Sequence, residues 1–206
     1  MTRRGAFLVV IGPDGVGKTT LARNLIGRWP SATMYIHFRP SVFTRPDAAP
    51  GEEATAPPAK QLDPGPRFAG WLRLLWSLIV FNIGYWRWLR PALRGGALVV
   101  GDRWIYGYVG QPAALGFGGP SWLAGIAVSL VPGPDLVVRL RADPVVTASR
   151  KGDLSPKEIE AEDNRWDGLR RSLLVLDANQ PLDGLVEQVA RELRHTIDSR
   201  QASARS

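Results

Sequence analysis

A glycine-rich stretch near the start of the chain has the residue types and the spacing that hold a chain of phosphates. Residues 12–19 read GPDGVGKT, which fits G-x-x-x-x-G-K-T without a gap. Glycines let backbone N–H groups turn toward anionic oxygens, and a helix that starts at the loop adds the positive end of its dipole. Lys18 can then reach the outer phosphates, and the Thr19 hydroxyl can bind Mg²⁺. We predict that a nucleoside triphosphate contacts Gly12, Asp14, Gly15, Val16, Gly17, Lys18, Thr19 and Thr20.

A second group of candidate residues follows the apolar run ALVVG, at Asp102 and Arg103. A carboxylate at the carboxyl end of a parallel strand lies beside the phosphate crevice. There Asp102 can hold Mg²⁺, directly or through water, or accept a proton, and Arg103 can pair with a second anion. The alternative is that Asp102 caps a helix. We predict that Lys18, Asp102 and Arg103 are catalytic, and that Asp102 and Thr19 are the metal ligands.

Five apolar runs are expected to form the strands that carry these residues. They are Ala6 to Ile11, Thr33 to Phe38, Ala97 to Gly101, Asp135 to Leu140 and Ser172 to Leu176. Helical patterns separate them, among them Lys18 to Trp29 and Phe68 to Leu93, which predicts an α/β fold with a parallel sheet covered on both faces. We expect one domain over residues 1–198 with a mobile Pro/Ala-rich loop at 46–66, followed by a tail at 199–206.

Composition restricts the function classes. The chain has no cysteine, which removes disulfides and thiolate metal sites and favours a cytoplasmic location. The net charge is +7, from 22 arginines and four lysines among its basic residues. This charge suits an anionic partner, but a codon bias toward arginine is the favoured explanation, because the arginines are scattered along the chain. No recognition-helix or base-stacking pattern is present, so no stable nucleic-acid complex is expected.

The segment LRLLWSLIVFNIGYW, Leu72 to Trp86, raises the question of a membrane. Its charge-free part begins at Leu74 and is shorter than the roughly 20 residues that a spanning helix needs, and Arg73 and Arg87 bracket it. We therefore predict no transmembrane segment. A helix that is apolar on most sides is usually buried in a core or a subunit interface, so a homodimer is expected. The tryptophans in and around this segment keep a weak contact with a membrane surface open.

Four blocks of the sequence resemble the thymidylate kinase family of P-loop kinases and stand in the family's order. They are GPDGVGKTTLA, PALRGGALVVGDRW, PDLVVRLRADPVVTASR and LDANQPLDGLVEQV. The first block is generic to P-loop proteins, and the other three are more specific to the family. The resemblance implies a P-loop NTPase fold with a doubly wound five-stranded parallel sheet. It implies the transfer of a phosphoryl group from ATP, with Mg²⁺, to a small acceptor, most often a nucleoside monophosphate.

The resemblance also assigns roles to individual residues. It implies an arginine-rich lid from Arg150 to Arg165, in which these two arginines would neutralise charge on the transferring group. The alternative for them is a solvated helix face with i,i+4 pairs, as in Glu160, Glu162 and Asp163. The resemblance further matches Arg39 to an arginine that binds the acceptor, and it places Ala178 beside the adenine.

Residues on the acceptor side differ from the family pattern. Where the family carries an arginine on the helix before the third strand, this chain has Phe81 and Asn82. After Arg103 it reads WIYGYVGQ, which includes Tyr106. We list Arg39, Phe81, Arg103 and Tyr106 as acceptor contacts. Three hypotheses stay open: a nucleotide kinase acting on a substrate such as dTMP, a kinase of a nucleoside, modified base, sugar or lipid-linked acceptor, and a non-catalytic nucleotide-binding or nucleic-acid-associated protein.

Overall fold

Five parallel strands form the sheet of the computed structural model, which describes residues 5–37, 67–151, 155–169 and 173–203. The strands are β1 (Ala6–Ile11), β2 (Thr33–His37), β3 (Leu98–Asp102), β4 (Leu136–Arg141) and β5 (Leu174–Asp177). Their order is β2-β3-β1-β4-β5, so β1 lies in the centre between β3 and β4. The predicted α/β P-loop fold with five parallel strands is confirmed.

Helices connect the strands, because parallel neighbours need a crossover from one end of the sheet to the other. They are α1 (Lys18–Arg28), α2 (Arg67–Gly84), α3 (Arg90–Arg94), α4 (Gly107–Gly110), α5 (Ser121–Ser129), α6 (Pro144–Lys151), α7 (Pro156–Arg165) and α8 (Leu182–Ser203). A π-helical turn, Tyr85–Leu89, joins α2 to α3 without a break. Single 3₁₀ turns follow β3 and α7, at Trp104–Tyr106 and Trp166–Gly168.

The sheet separates two hydrophobic layers, because side chains on a strand alternate between its faces. Phe7, Val9 and Ile11 of β1 face the layer that contains α2 to α5. Leu8 and Val10 face the layer that contains α1 and α8. All six side chains of β1 are buried, which explains why its sequence is a continuous apolar run rather than an alternating one. Both layers hold the strand ends, and therefore the site, in fixed positions.

The register of the strands brings distant residues to one edge. Val10 pairs with Asp102, and His37 pairs with Asp102 from the other side. Ile11, the last residue of β1, pairs with Arg139 of β4. The carboxyl ends of β1, β2, β3 and β4 therefore meet, which is where open α/β sheets bind ligands.

Element boundaries differ from the predictions by a few residues. The first strand agrees at both ends, whereas β3 and β4 each lie one residue later than expected, so that Asp102 ends β3 rather than following it. The predicted tail from residue 199 begins inside α8, which continues to Ser203. The Pro/Ala-rich loop at 46–66 lies outside the described residues.

The helix that contains the charge-free stretch extends beyond it. Phe68–Arg94 is 27 residues long and its most apolar 18-residue window has a mean hydropathy of 1.3, which meets the length and composition of a membrane crossing. Core helices of other proteins meet the same criteria, so the length assigns no location. Only 33% of its most apolar window is buried. Much of its apolar surface therefore faces outward, unlike that of an ordinary core helix.

Candidate functional site

The loop between β1 and α1 has a backbone that only glycine adopts with ease. Gly12 has φ = 140°, and a Cβ placed there would lie 2.4 Å from the carbonyl oxygen of Leu140. Gly17 caps α1 with φ = 103°. No side chain caps the first turn of this helix, and that turn contains no acidic residue. The N–H groups at the start of α1 are therefore suited to an anion.

Lys18 lies inside the loop. Its ammonium donates to the carbonyl oxygens of Gly12 at 2.9 Å and Pro13 at 2.8 Å, and it lies 3.6 Å from the Asp14 carboxylate. Burial lowers the pKa of Lys18, and the nearby charge of Arg103 lowers it further. The ammonium is thus held over the phosphate loop by weak carbonyl acceptors, which an anionic oxygen replaces favourably.

The other predicted loop residues lie in the turn between β1 and α1 and in the first turn of α1. Gly15 is partly exposed with φ = 83°, and Val16 is buried with its N–H directed at the carbonyl of Pro13. Thr19 is partly buried and Thr20 is exposed in the first turn of α1. Their contacts with phosphate or metal remain predictions.

Asp102 combines one engaged carboxylate oxygen with one that has no partner. Its Oδ2 accepts a hydrogen bond from the Tyr35 hydroxyl at 3.4 Å and lies 3.6 Å from the His37 ring nitrogen. Its Oδ1 is buried without a hydrogen-bond partner. Burial opposes ionisation of Asp102, but the hydrogen bond with His37 and the charges of Lys18 and Arg103 outweigh it, so the pKa is lowered. An ionised carboxylate with an unsatisfied oxygen fits a hard cation such as Mg²⁺.

Arg103 and Trp104 follow β3 in an uncommon conformation, with φ of 65° and 49°. Residues other than glycine rarely adopt positive φ, and such strain is concentrated at functional sites. The turn directs the Arg103 guanidinium back to the Asp14 carboxylate in the phosphate loop. The fold therefore brings Lys18, Asp14, Asp102 and Arg103 together at one place.

Helix α7 covers this site from the other side. Glu162 is buried, and its Oε1 accepts a hydrogen bond from the Gln111 amide at 2.7 Å. Burial raises the pKa of Glu162, although the charge of Lys18 acts against it. The Arg165 guanidinium donates to the carbonyl of Gly110 at 3.5 Å. The predicted lid arginine thus lies on α4, the helix that follows the Asp102–Arg103 turn.

Trp166 fixes the end of α7 against α4. Its indole is fully buried and lies where Gly110 would have a side chain, since a Cβ there would be 2.0 Å from the ring. Trp104, also fully buried, packs edge-on between Phe7 and Phe81, with ring centroids 5.3 and 4.6 Å away. The hydrophobic layer next to the Arg103–Trp104 turn is thus built from closely packed aromatic rings.

The other predicted residues have varied surroundings. Phe81 is 0% exposed and Tyr106 is 1% exposed, so both lie within the hydrophobic layer. Ala178 is partly exposed after β5, and its N–H donates to the carbonyl of Arg141. Arg39 lies outside the described residues, as does the side chain of Arg150. Their predicted roles remain predictions.

Four residues that sequence reasoning passed over belong to the site or border it. Tyr35 and His37 lie beside Asp102. Glu162 is close enough to Lys18 for their charges to interact, and Arg139 pairs with Ile11, the residue before the phosphate loop. The position of His37 at the end of a predicted strand was a usable signal, because parallel strand ends meet at one edge. No signal in the sequence separated Glu162 from the exposed acids near it.

No protein-family model matches the chain, and no curated protein matches it. Among solved structures, 207 chains match. A thymidylate kinase from Candida albicans aligns with a TM-score of 0.66 over 94% of both chains, at 16% sequence identity. The fold is that of the P-loop NTPases. More narrowly, the fold is thymidylate kinase-like, as the resemblance implied.

Proposed function

We propose that the protein is an ATP-dependent phosphotransferase whose favoured acceptor is a nucleoside monophosphate such as dTMP. The observation that carries this proposal is the convergence of Lys18, Asp102 and the Arg103–Asp14 pair on one glycine loop. The thymidylate kinase-like fold supports the same reaction class. Since the chain needs no thiol or histidine chemistry for this transfer, the absence of cysteine is compatible with it.

The ATP half of the site follows from the loop. Backbone N–H groups of residues 12–19 and the start of α1 bind the phosphates, and Lys18 exchanges its carbonyl acceptors for phosphate oxygens. The Thr19 hydroxyl and Asp102 would hold Mg²⁺, with the unpaired Oδ1 as the natural ligand. The ion would neutralise negative charge that develops on the phosphate oxygens. Ala178 borders the adenine.

The acceptor half positions the attacking oxygen. Arg103, beside the phosphate loop, would bind the acceptor, with Arg39 as the resemblance implies, and Arg150 and Arg165 would neutralise charge on the transferring phosphoryl group. The bond between the γ-phosphorus and the bridging oxygen breaks, a bond to an acceptor oxygen forms, and ADP leaves with the electron pair. A monophosphate oxygen is already anionic, so no general base is required for this acceptor.

A non-standard acceptor is the second candidate, and one observation favours it. Phe81 is buried against Trp104. Asn82 donates to the carbonyl oxygens of Leu78 and Leu130. Neither residue on α2 is available to bind an acceptor phosphate in the way that the family's arginine does. A nucleoside, modified base, sugar or lipid-linked acceptor would not need that contact.

Acceptor-dependent release of ADP tests both candidates. Purified protein with ATP and Mg²⁺ is offered a panel of nucleoside monophosphates, and then nucleosides and sugars. We expect release with a nucleoside monophosphate. Release with only the second group would replace the first candidate with the second. ATP binding without any turnover, together with salt-sensitive DNA binding, would favour the non-catalytic alternative.

Lys18→Ala is the variant that separates a working phosphate loop from an incidental one. It should abolish ADP release and weaken ATP binding, because a charge-assisted phosphate contact is worth about 1.5–3 kcal/mol. Arg28→Ala, at the opposite end of the same helix, is the control and should behave as wild type. Full activity in Lys18→Ala would contradict the proposed site.

We further propose a homodimer in the cytoplasm, formed through an exposed apolar surface of α2 and α5. This apolar face comprises Phe68, Trp71, Leu72, Leu75, Trp76, Ile79, Ile83, Trp86, Trp122, Ile126 and Leu130. Asn82 joins its two parts by a hydrogen bond to the Leu130 carbonyl. From the usual sizes of such side chains, their exposed parts amount to roughly 1,000 Å², comparable to the ~800 Å² that each partner gives to a standard interface.

A second copy is the occupant that we propose for this face, because its large aromatic groups and its area match those of one partner in a protein interface. Arginines border the face, and the Arg90 guanidinium stacks on Trp86, 4.4 Å from the ring centroid. Basic residues at the edge of an apolar face also suit anionic lipid, so the test includes vesicles. Sedimentation velocity should give a dimer for the wild type and a monomer for Trp76→Glu. Val145→Glu, which adds a charge at an exposed valine elsewhere, is the control. A wild-type monomer that pellets with anionic vesicles would overturn the dimer.

A further inference from the structure

A buried arginine occupies an interior strand where apolar residues are expected. Arg139 is 2% exposed on β4, between Val138 and Leu140, and it lies between β1 and β5 in the sheet. Burying a guanidinium removes its hydration, so the position is tolerated only where the charge is paired and hydrogen-bonded. Arg139 is therefore present for its partners and not for packing alone.

The two acidic partners of Arg139 are Asp163, near the end of α7, and Asp167, in the 3₁₀ turn that follows it. The Arg139 Nε donates to Oδ1 of Asp163 at 3.2 Å, and its Nη2 lies 3.0 Å from the same oxygen. Nη2 also donates to the main-chain carbonyl of Asp163, and Nη1 donates to Asp167. Arg141 adds a contact from the same strand, with Nε 2.7 Å from Oδ2 of Asp163. The guanidinium fork thus holds the backbone as well as the carboxylates of this segment.

The same short segment carries Glu162, which interacts with the charges of Lys18 and Asp14, and Arg165, which contacts α4. Glu162 precedes Asp163 and is held by Gln111, and Arg165 follows it and lies on Gly110. Any shift of α7 along or around its axis would move both groups together. An apolar residue at position 139 would pack against α7 at several registers, whereas a guanidinium fork accepts one.

We propose that Arg139 is a positioning residue that fixes α7 on the sheet, so that Glu162 stays beside the phosphate loop and Arg165 stays on α4. It acts through Asp163 and Asp167 and does not contact the substrate. This inference rests on the proposed phosphotransferase function for its kinetic consequences. Its structural consequence, a fixed α7, is independent of any activity.

The test compares variants that remove the fork with variants that spare it. In Arg139→Met combined with Asp163→Asn, neither buried charge is left unpaired, so the protein should fold. We expect kcat to fall about 10- to 100-fold, because small displacements of catalytic groups have effects of this size. KM for Mg·ATP should change by less than about threefold, since the phosphate loop is untouched. Arg141→Met is the matched control, because Arg141 pairs with the same aspartate but is half-exposed, and it should stay close to wild type.

Hydrogen exchange gives the readout that does not depend on turnover. In the double variant, amides of residues 156–168 should exchange about tenfold faster or more, while those of β1 should keep their protection. Faster exchange in an enzyme without detectable turnover would support the positioning role and reject the proposed function. Unchanged exchange at 156–168, with or without activity, would overturn the positioning role.

Arg139→Lys covers the case in which the double variant fails to fold. Lysine retains the charge but cannot form the fork. We expect a folded protein with the same selective loss of kcat and the same faster exchange in α7. A folded Arg139→Lys with wild-type kcat and exchange would also overturn the proposal.

Discussion

The two sides of the site are built by different means. On the phosphate-loop side, residues 11–20 are contiguous, and glycine conformation and backbone N–H groups do most of the work. On the other side, α7 is held by the Arg139 side chain of β4, by the Gln111 side chain just after α4, and by the main-chain carbonyl of Gly110, all far away in the sequence. The phosphate-loop side is local in the sequence, so a motif predicts it. The α7 side depends on tertiary contacts, and single substitutions there should change the geometry of the site before they abolish ATP binding.

The largest effect is expected at Gly12. In Gly12→Ala the new Cβ meets the Leu140 carbonyl at 2.4 Å in a backbone with φ = 140°, so the loop must distort at a cost of about 1–3 kcal/mol or more. Calorimetry should show that ATP binding is lost. Gly27→Ala in α1 is the control, since a Cβ there meets nothing within 4 Å, and it should be neutral or slightly stabilising. If Gly12→Ala still bound ATP, the phosphate-loop side would not depend on glycine conformation, and the contrast with the α7 side would be wrong.

Asp102→Asn should have the next largest effect. The substitution retains the shape and the acceptor for Tyr35 but removes the negative charge beside the phosphate loop. We expect Mg²⁺-dependent turnover to fall by roughly 100-fold or more, because direct metal ligands matter at least as much as their supporting residues. Magnesium titration of the initial rate is the measurement. Tyr35→Phe, which removes only a long hydrogen bond, should lose far less, and equal losses would count against a metal role for Asp102.

Glu162→Gln tests the α7 side through pH. Burial raises the pKa of Glu162 above its ordinary value of 4.5, so the folded state holds a proton that the unfolded state releases. Stability should therefore decrease as pH rises from the ordinary glutamate pKa to the raised one. Chemical denaturation across this range should show that Glu162→Gln removes the decrease. Glu160→Gln, an exposed neighbour, should leave it intact, and an unchanged slope in Glu162→Gln would show that its carboxyl does not titrate as inferred.

The smallest effect is expected where α1 meets α8. Arg28 pairs with Asp183 at the exposed ends of these helices. Arg28→Ala should lower the free energy of unfolding by less than about 1 kcal/mol, because exposed ion pairs are screened by water and salt. Urea denaturation is sufficient to measure it. A loss as large as that in the Arg139 variants would show that burial is not what makes the lid contacts matter.

Sequence reasoning reached the fold and the phosphate-loop side because both are encoded locally. The run Ala6 to Ile11 predicted β1 at both ends, and the spacing from Gly12 to Thr19 predicted the loop that follows it. Asp102 and Arg103 were found because they end a strand, and in a parallel sheet strand ends converge.

The contacts that hold α7 cannot be predicted from the sequence pattern alone. Glu160, Glu162 and Asp163 are indistinguishable in a charged helix, yet only Glu160 is exposed. Arg139 interrupts an apolar strand, and nothing local indicates that its partners lie 24 and 28 residues later. Phe81 was assigned to the acceptor by counting along the helix, and its full burial against Trp104 depends on packing that counting does not include.

The indole of Trp166 fills the space that a side chain at position 110 would take. These two positions share one volume, so neither is free to change in size alone. Among related chains that keep this arrangement, a bulkier residue at 110 should coincide with a smaller one at 166. A chain that enlarged only the glycine would have to move the end of α7 away from α4 by about the width of a methyl group.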